Sequence, residues 1–426
     1  MIKYVLTVVL SGLLISCGSI NKDPDYSWII PSVDFDRRDF PVSIKLPAEL
    51  EIEDRKPVLK EVSGDELLSV VCQLKIYEGA EISWVVEGLT KAGEERSYQL
   101  SFSSVKGEDT PMKTEKNDST LIISKGPNQI LHYRHSDLPA PEGTTYLYDR
   151  SGFIHPLYSP SGETLTWVQP PDHIHHMGLW NPWTKVSWKG NHTDFWNLAS
   201  GLGTVRYKDV ISTVSGPVFA EIHVLHDHIA FVPGKTPNPD DNEECKDVIV
   251  MEEEWIIRVW NIEDGYLLDF TSLIRNVLDE SISLDAYRYG GGIGYRASEK
   301  WNKDNSAILT SEGKIRKDGD ATRARWCMMY GDLEGISTAV LFMSDTENFD
   351  YPQPMRIWPE NSNGVGHQFF EFTPIREKAW ILEPGKTYSQ NYRIWVKEGD
   401  LDSTSAEQQW LQYIEGMDQN ISYLSR

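Results

Sequence analysis

The stretch Val248-Ile249-Val250-Met251-Glu252-Glu253-Glu254-Trp255-Ile256-Ile257-Arg258-Val259-Trp260 decides the fold. Side chains alternate across a strand, so one face carries Ile249, Met251, Glu253, Trp255, Ile257 and Val259. The other face carries Glu252, Glu254 and Arg258, a pattern that suits solvent or surface ion pairs. Soon after, Glu263-Asp264-Gly265 supplies a turn, and Tyr266–Asn276 is a second long alternating run. The two runs form an antiparallel hairpin whose apolar face needs a partner sheet.

Outward from this hairpin, strand signals recur at residues 121–124, 129–134, 165–169, 218–225, 337–343, 380–382 and 388–397, with Pro384-Gly385 between the last two. Helical periodicity is nearly absent, so residues 119–398 read as one large antiparallel β-domain. A smaller β-unit precedes it at 40–118. Its strands are Val42-Ser43-Ile44-Lys45-Leu46, the run around Val70-Val71-Cys72-Gln73-Leu74, Ile82-Ser83-Trp84-Val85-Val86 and Tyr98-Gln99-Leu100-Ser101-Phe102. Short strands at this spacing predict a small sandwich or barrel. The polar residues 107–117 read as a linker, and 233–247, proline-rich and acidic, as an exposed insertion. In 399–426, Thr404-Ser405-Ala406-Glu407 fits a capping box, with Trp410, Tyr413, Ile414 and Met417 on one helical face. The fold class is therefore all-β with one C-terminal helix.

The N-terminus reads as a targeting segment. Lys3 precedes an apolar run over 4–15 that is too short for a permanent span, and Leu14-Ile15-Ser16-Cys17 resembles a bacterial lipoprotein signal. That resemblance implies cleavage after residue 16, lipidation of Cys17 and a tether over 17–39. The chain would then sit at the bacterial cell envelope, lipid-anchored, periplasmic or surface-exposed, touching the membrane through the anchor only. Cys72, Cys245 and Cys327 follow no metal or disulfide spacing and read as isolated, with one disulfide left open among them.

Composition narrows the partners. With 41 basic and 64 acidic residues the net charge is −23, which repels phosphate backbones and excludes a nucleic-acid role. It also counts against a strongly anionic polysaccharide unless a local basic pocket offsets it. The 15 Trp and 19 Tyr favour stacking on sugar faces.

The chemistry concentrates in Pro170-Pro171-Asp172-His173-Ile174-His175-His176-Met177-Gly178-Leu179-Trp180, followed by His192 and Trp196. In an extended segment His173 and His175 share a face and His176 points away. Imidazole titrates near neutrality, and a carboxylate such as Asp172 can fix its tautomer. The same spacing suits two ligands of a divalent transition metal. A second group, Glu221-Ile222-His223-Val224-Leu225-His226-Asp227-His228, puts His226 and His228 on one strand face and His223 on the other. His226 is thus a candidate third ligand beside His173 and His175. Glu253 is the only charge on an apolar face, where burial would raise its pKa unless a cation pairs with it. The glycine-rich Tyr289-Gly290-Gly291-Gly292-Ile293-Gly294-Tyr295-Arg296 has no following helix, so it marks a close backbone approach and not a phosphate cradle.

The histidine stretch Asp172–Trp180, Gly291-Gly292-Ile293-Gly294-Tyr295-Arg296, the Asn348…Tyr351-Pro352 segment and Pro384-Gly385 together resemble a bacterial family of unknown function often labelled "methane oxygenase PmoA". The resemblance covers 128–397, and Met177 stands where that family has arginine, which removes a cation. The label implies several membrane spans, and no apolar stretch after residue 15 is long enough for one. The β-pattern and the Phe40-Pro41-Val42…Gln73…Trp84 unit resemble galactose-mutarotase-like supersandwich enzymes and the small barrels attached to certain pectin-degrading lyases. This implies a β-supersandwich over 119–398, and a histidine and a glutamate that exchange protons with a sugar ring oxygen and anomeric hydroxyl.

The leading expectation is an exported lipoprotein acting on a small sugar or oligosaccharide by acid–base chemistry, of the epimerase, lyase or glycoside-cleaving type. His173, His175 and Glu253 would be catalytic, with Asp172, His176, Trp180, Tyr289, Arg296, Asn348 and Trp358 around the substrate. No cofactor is required. Two alternatives stand beside it: a metal-dependent enzyme using His173, His175 and His226, and a non-catalytic glycan binder stacking sugars on Trp180, Trp183 and Trp358.

Overall fold

A computed structural model describes residues 26–47, 55–103, 110–231, 247–417 and 422–425. The hairpin forms as expected: Val248–Trp260 and Tyr266–Asn276 pair antiparallel in unbroken register from Met251↔Asn276 to Trp260↔Leu267. Gly265 closes the turn at φ +81, and a Cβ there would fall 2.0 Å from the Val396 carbonyl oxygen, so the site admits only glycine.

This hairpin is central to an eight-stranded antiparallel sheet. Its order is Gly203–Val214, Phe219–Ala230, Val248–Trp260, Tyr266–Asn276, Thr387–Glu398, Ile336–Ser344, Trp326–Leu333 and Ser306–Thr310. A second eight-stranded sheet runs Met355–Ile357, Phe369–Phe372, Gly294–Arg296, Leu179–Trp180, Phe153–Leu157, Asn128–Arg134, Thr120–Lys125 and Met112–Lys116. One continuous core fills the space between them, where Trp255, Ile257 and Val259 meet Leu121, Leu131, Tyr133, Leu179 and Tyr295. Each such side chain contributes about 1.5–3 kcal/mol by leaving water. Strand takes up about 53% of the described residues and helix 6%, so the large domain is an all-β sandwich.

Several boundaries differ from the sequence reading. The small domain begins at Tyr26, because Tyr26–Ile30 is a strand within the segment read as tether, and its Trp28 stacks on Trp84 in that domain's core. Residues 112–116, read as linker, are the edge strand of the second large sheet, paired with Thr120–Lys125. Residues 165–169 make only isolated bridges, at Thr166↔Ala297 and Val168↔Met177; the Thr166 hydroxyl takes the Leu157 N–H that a ladder would have used. The helix Ser403–Met417 is capped by Asp402, whose carboxylate accepts from Ser405 N at 2.8 Å. Glu407 is drawn instead to Trp326 Nε1 at 2.6 Å, so the capping box does not close. A last strand, Ser422–Ser425, returns to pair with Tyr26–Ile30. The lipoprotein signal, Cys17 and residues 233–246 with Cys245 lie outside the described residues. No helix among those described is long and apolar enough to cross a membrane.

A buried amide joins the two domains. Gln73 accepts from Val218 N at 3.0 Å and Phe219 N at 3.1 Å, and donates to Phe219 O at 3.2 Å.

Candidate functional site

Residues 170–176 fold into successive turns, not an extended strand. His173 N donates to Pro170 O at 3.0 Å, and His176 N to His173 O at 2.9 Å. Two prolines without N–H groups and Gln169 at φ +46 forbid a ladder here. The expected alternation is thereby overturned, and all three imidazoles gather. Ring centroids are 5.5 Å apart for His173–His175, 4.9 Å for His173–His176 and 5.0 Å for His175–His176. His173 and His175 remain partly open to solvent, whereas His176 is buried against Trp180, Trp196, Trp358 and Phe369.

The pleat of the second sheet explains what surrounds them. Leu179, Tyr295, Phe370 and Ile357 lie in register and face the first sheet, where Tyr295 and Phe370 pack on Phe342 at 5.1 and 5.2 Å. Their alternates, Trp180, Arg296, Phe369, Glu371 and Arg356, share the opposite face. The histidine turn and the glycine segment lie over that face. Gly290, Gly291 and Gly292 all have positive φ, and a Cβ at 291 would fall 2.0 Å from the Trp183 ring. Tyr289 packs on Trp196 at 5.2 Å, and Trp196 on His175 at 5.5 Å.

Charge is arranged closely. Arg296 is buried between Trp167 and Trp358, 5.0 and 4.7 Å from their ring centroids, and its Nη2 donates to both Asp172 oxygens at 3.0 and 2.8 Å. Asn363 Nδ2 donates to the same carboxylate at 2.5 Å, and His173 Nδ1 stands 3.4 Å away. Burial would raise the Asp172 pKa, but His173 and Arg296 outweigh it and hold it well below the usual carboxylate range. Burial, reinforced by His173, lowers His175 to about 4. His176 is pushed down too, again by burial and then by His175. Glu371 goes the other way: burial lifts its pKa well above the ordinary value, against the Gly290 N–H, which donates to Oε1 at 2.7 Å, and against Arg356. Its Oε2 is buried without a hydrogen-bond partner. Burial thus favours the neutral form of both groups on this face, the imidazole of His175 and the carboxyl of Glu371.

Glu253 lies elsewhere, in the core between the sheets. His228 Nε2 donates to Oε2 at 2.7 Å, Ser272 Oγ donates to Oε1 at 2.5 Å, and Asn181 Nδ2 donates to Oε1 as well. Burial pushes this carboxyl up, but His228 more than compensates, so its pKa falls to about 2 rather than rising. No hydrogen bond joins it to His173 or His175. Trp180 and Asn181 divide the two groups by alternation: Trp180 meets the histidines and Asn181 meets Glu253. His226 shares the strand face with His228, as expected, but both its ring nitrogens are engaged. Nδ1 donates to Glu253 O at 3.0 Å, and Nε2 accepts from the Tyr133 hydroxyl at 2.5 Å. It does not complete a metal sphere with His173 and His175, and among the described residues no three His, Cys, Asp or Glu side chains are grouped to hold a metal ion.

The other expected contacts divide as well. Tyr289, Asp172, Arg296, His176 and Trp358 belong to the site. Asn348 does not: its amide donates to Asn391 O at 2.7 Å and accepts from Asn391 N at 2.7 Å, bracing the first sheet. Trp180 and Trp183 are fully buried, which removes them as sugar platforms. Sequence reasoning missed Glu371, Arg356 and Phe369. The signal was present in Phe369-Phe370-Glu371-Phe372, a lone carboxyl in an aromatic run, the same pattern that singled out Glu253.

The profile of a family of unknown function, DUF6807, matches residues 122–411. No curated protein matches the sequence. Among solved structures, the chain is similar to a galactose mutarotase related enzyme from Lactobacillus acidophilus, with 11% identity over 67% of this chain and 97% of that one, at a TM-score of 0.33. It is similar to the Slr1438 protein of Synechocystis sp. PCC 6803, with 11% identity over 69% and 99% of the two chains and a TM-score of 0.32. It is similar also to a GH36 alpha-galactosidase from Geobacillus stearothermophilus, with 9% identity over 68% and 40% and a TM-score of 0.29. At such scores the sandwich architecture rests on the chain's own sheets.

Proposed function

The chain belongs to the DUF6807 family, and from its site we propose that it acts on a carbohydrate by proton transfer, with His175 as general base and Glu371 as general acid. The observation that carries this reading is their shared setting. His175 packs on Trp196, Trp196 packs on Tyr289, and Glu371 accepts from the N–H of Gly290, the residue after Tyr289. Burial favours the unprotonated form of His175 and the protonated form of Glu371, the states a base and an acid need. This replaces the pairing of His173 and His175 with Glu253. Tyr289, half-exposed, offers the ring on which a sugar face can pack, and His173, also partly exposed, packs against His175.

Epimerisation, β-elimination and glycoside cleavage all need a proton moved at a sugar C–H or C–O bond, and the residue types suit each. Turnover of a panel of aldoses and oligosaccharides, followed by proton NMR, tests the reading. Activity on at least one, lost in both His175→Ala and Glu371→Gln, supports it; activity that survives both substitutions overturns it.

The segment ending in Cys17 supports placing this activity at the bacterial cell envelope through a lipid anchor. Fatty-acid labelling of the full chain, absent from Cys17→Ala, is the expected result, and labelling that persists would refute the anchor.

A further inference from the structure

Tyr289 stands at the open edge of the site, and cations surround it. The guanidinium carbons of Arg288 and Arg356 lie 5.1 and 4.9 Å from its ring centroid. Arg356 Nη2 also donates to the Tyr289 hydroxyl at 3.0 Å, while its Nε is buried without a hydrogen-bond partner. Arg376 comes to 3.4 Å from Asp320, which Arg356 also pairs with at 2.9 Å. Lys185 Nζ sits 4.1 Å from the centroid of Tyr287, whose ring neighbours Tyr289 at 6.1 Å. Asp320 is the carboxylate that pairs with Arg356 and Arg376. Arg288 is exposed and has no carboxylate partner among the described residues.

In a chain of net charge −23 this is a local inversion of sign. A positive patch on a negative surface attracts one class of ligand. The aromatic ring asks for a sugar face, and the guanidinium forks ask for a planar oxyanion beside it. Glu371, whose Oε1 accepts from Gly290 N, is shifted by burial toward its uncharged form, which lessens the negative charge set against these cations.

Resting on the carbohydrate reading above, we propose that the sugar bound at this site carries a carboxylate, held by Arg288 and Arg356 while the ring packs on Tyr289. The sugar is thus of the hexuronic acid class, and the net negative charge of the chain disfavours such a sugar elsewhere.

Calorimetric titration of the full chain at low salt with D-galacturonate, D-glucuronate, D-galactose, D-glucose and a hexose phosphate tests this. A uronate is expected to bind at least about tenfold tighter than its neutral counterpart, as one charge-assisted contact provides. Arg288→Ala, an exposed position that leaves the core intact, is expected to remove most of that preference, and added salt to erode it. Equal binding of uronates and neutral sugars overturns the proposal, as does a preference untouched by Arg288→Ala. Tighter binding of the hexose phosphate also overturns it. Binding of none of these sugars would overturn the carbohydrate reading itself, and this proposal with it.

Discussion

His228 donates to Glu253 at 2.7 Å inside a core where both side chains are at most 1% exposed. Such a pair is costly to break from one side, because the remaining partner keeps its desolvation penalty. Glu253→Ala would strand His228 Nε2, Ser272 Oγ and Asn181 Nδ2 together. We expect a loss of about 3–5 kcal/mol in denaturant unfolding. The proton linkage has a definite sign. The folded pKa of Glu253 is depressed to about 2, so its contribution is complete above the unfolded value, ~4.3, and fades as pH falls from there toward 2. An unchanged midpoint in Glu253→Ala would falsify this account.

The histidines set a second window at higher pH. Burial is the first cause in each case, and it holds His155, His175 and His226 at about 4, with His176 also lowered. The unfolded chain takes up these protons near ~6.5, so between there and about 4 it binds more protons than the native state. Glu371 works in the opposite direction, because its raised pKa keeps a proton in the native state that the unfolded chain releases above ~4.3. These four histidines, with His132 and His367 also lowered by burial, outweigh one raised carboxyl and leave stability rising with pH. The melting temperature should therefore decline steadily as pH is lowered from 6.5 to 4; a flat or rising profile over that range contradicts the burial assigned to these rings.

What sequence could reveal depended on period. The hairpin Val248–Trp260 and Tyr266–Asn276 was fully legible, because long alternating runs leave one register that buries the apolar face. Even the division of His226 and His228 from His223 followed from the same rule: His223 pairs outward with Glu254 at 2.7 Å. The histidine stretch was located but its geometry was misread, since alternation applies only to extended backbone and Pro170-Pro171 turn the chain. Short strands such as Phe369–Phe372 carry too few residues to show a period, and Glu371 went unnoticed on one of them. Glu253 was correctly seen as a lone charge on an apolar face, yet sequence could not show that His228 would neutralise it across the ladder.

The glycine segment gives a stability test independent of charge. Gly291→Ala places a methyl 2.0 Å from the Trp183 ring at φ +79, so either the ring or the loop must move. Trp183 is itself locked against Trp380 at 6.1 Å. Overpacking of this kind costs about 1–3 kcal/mol, with left-handed backbone strain in addition. The substitution should lower thermal stability and reduce ligand affinity together, because Tyr289 leads into the same loop. Gly313→Ala, at φ +69 with open space around the Cβ, should carry only the backbone strain and leave affinity unchanged.

Glu371→Gln separates a proton donor from a structural carboxyl. The amide oxygen of glutamine can still accept from Gly290 N, and the side chain keeps its shape and matches the neutral form that burial favours, so unfolding should be nearly unaffected at neutral pH. What glutamine cannot do is give up a proton in the transition state. Loss of a positioned general acid costs typically about 10²–10⁴-fold in rate, and the fall should appear in kcat with little change in KM. The wild-type pH–rate profile supplies the matching readout. Its acid limb should fall as His175 protonates near pH 4, and its alkaline limb as Glu371 ionises. In Glu371→Gln the alkaline limb should disappear while the acid limb stays. An alkaline limb that persists unchanged in that variant would remove Glu371 from the chemistry and leave it a buried support for the Gly290 turn.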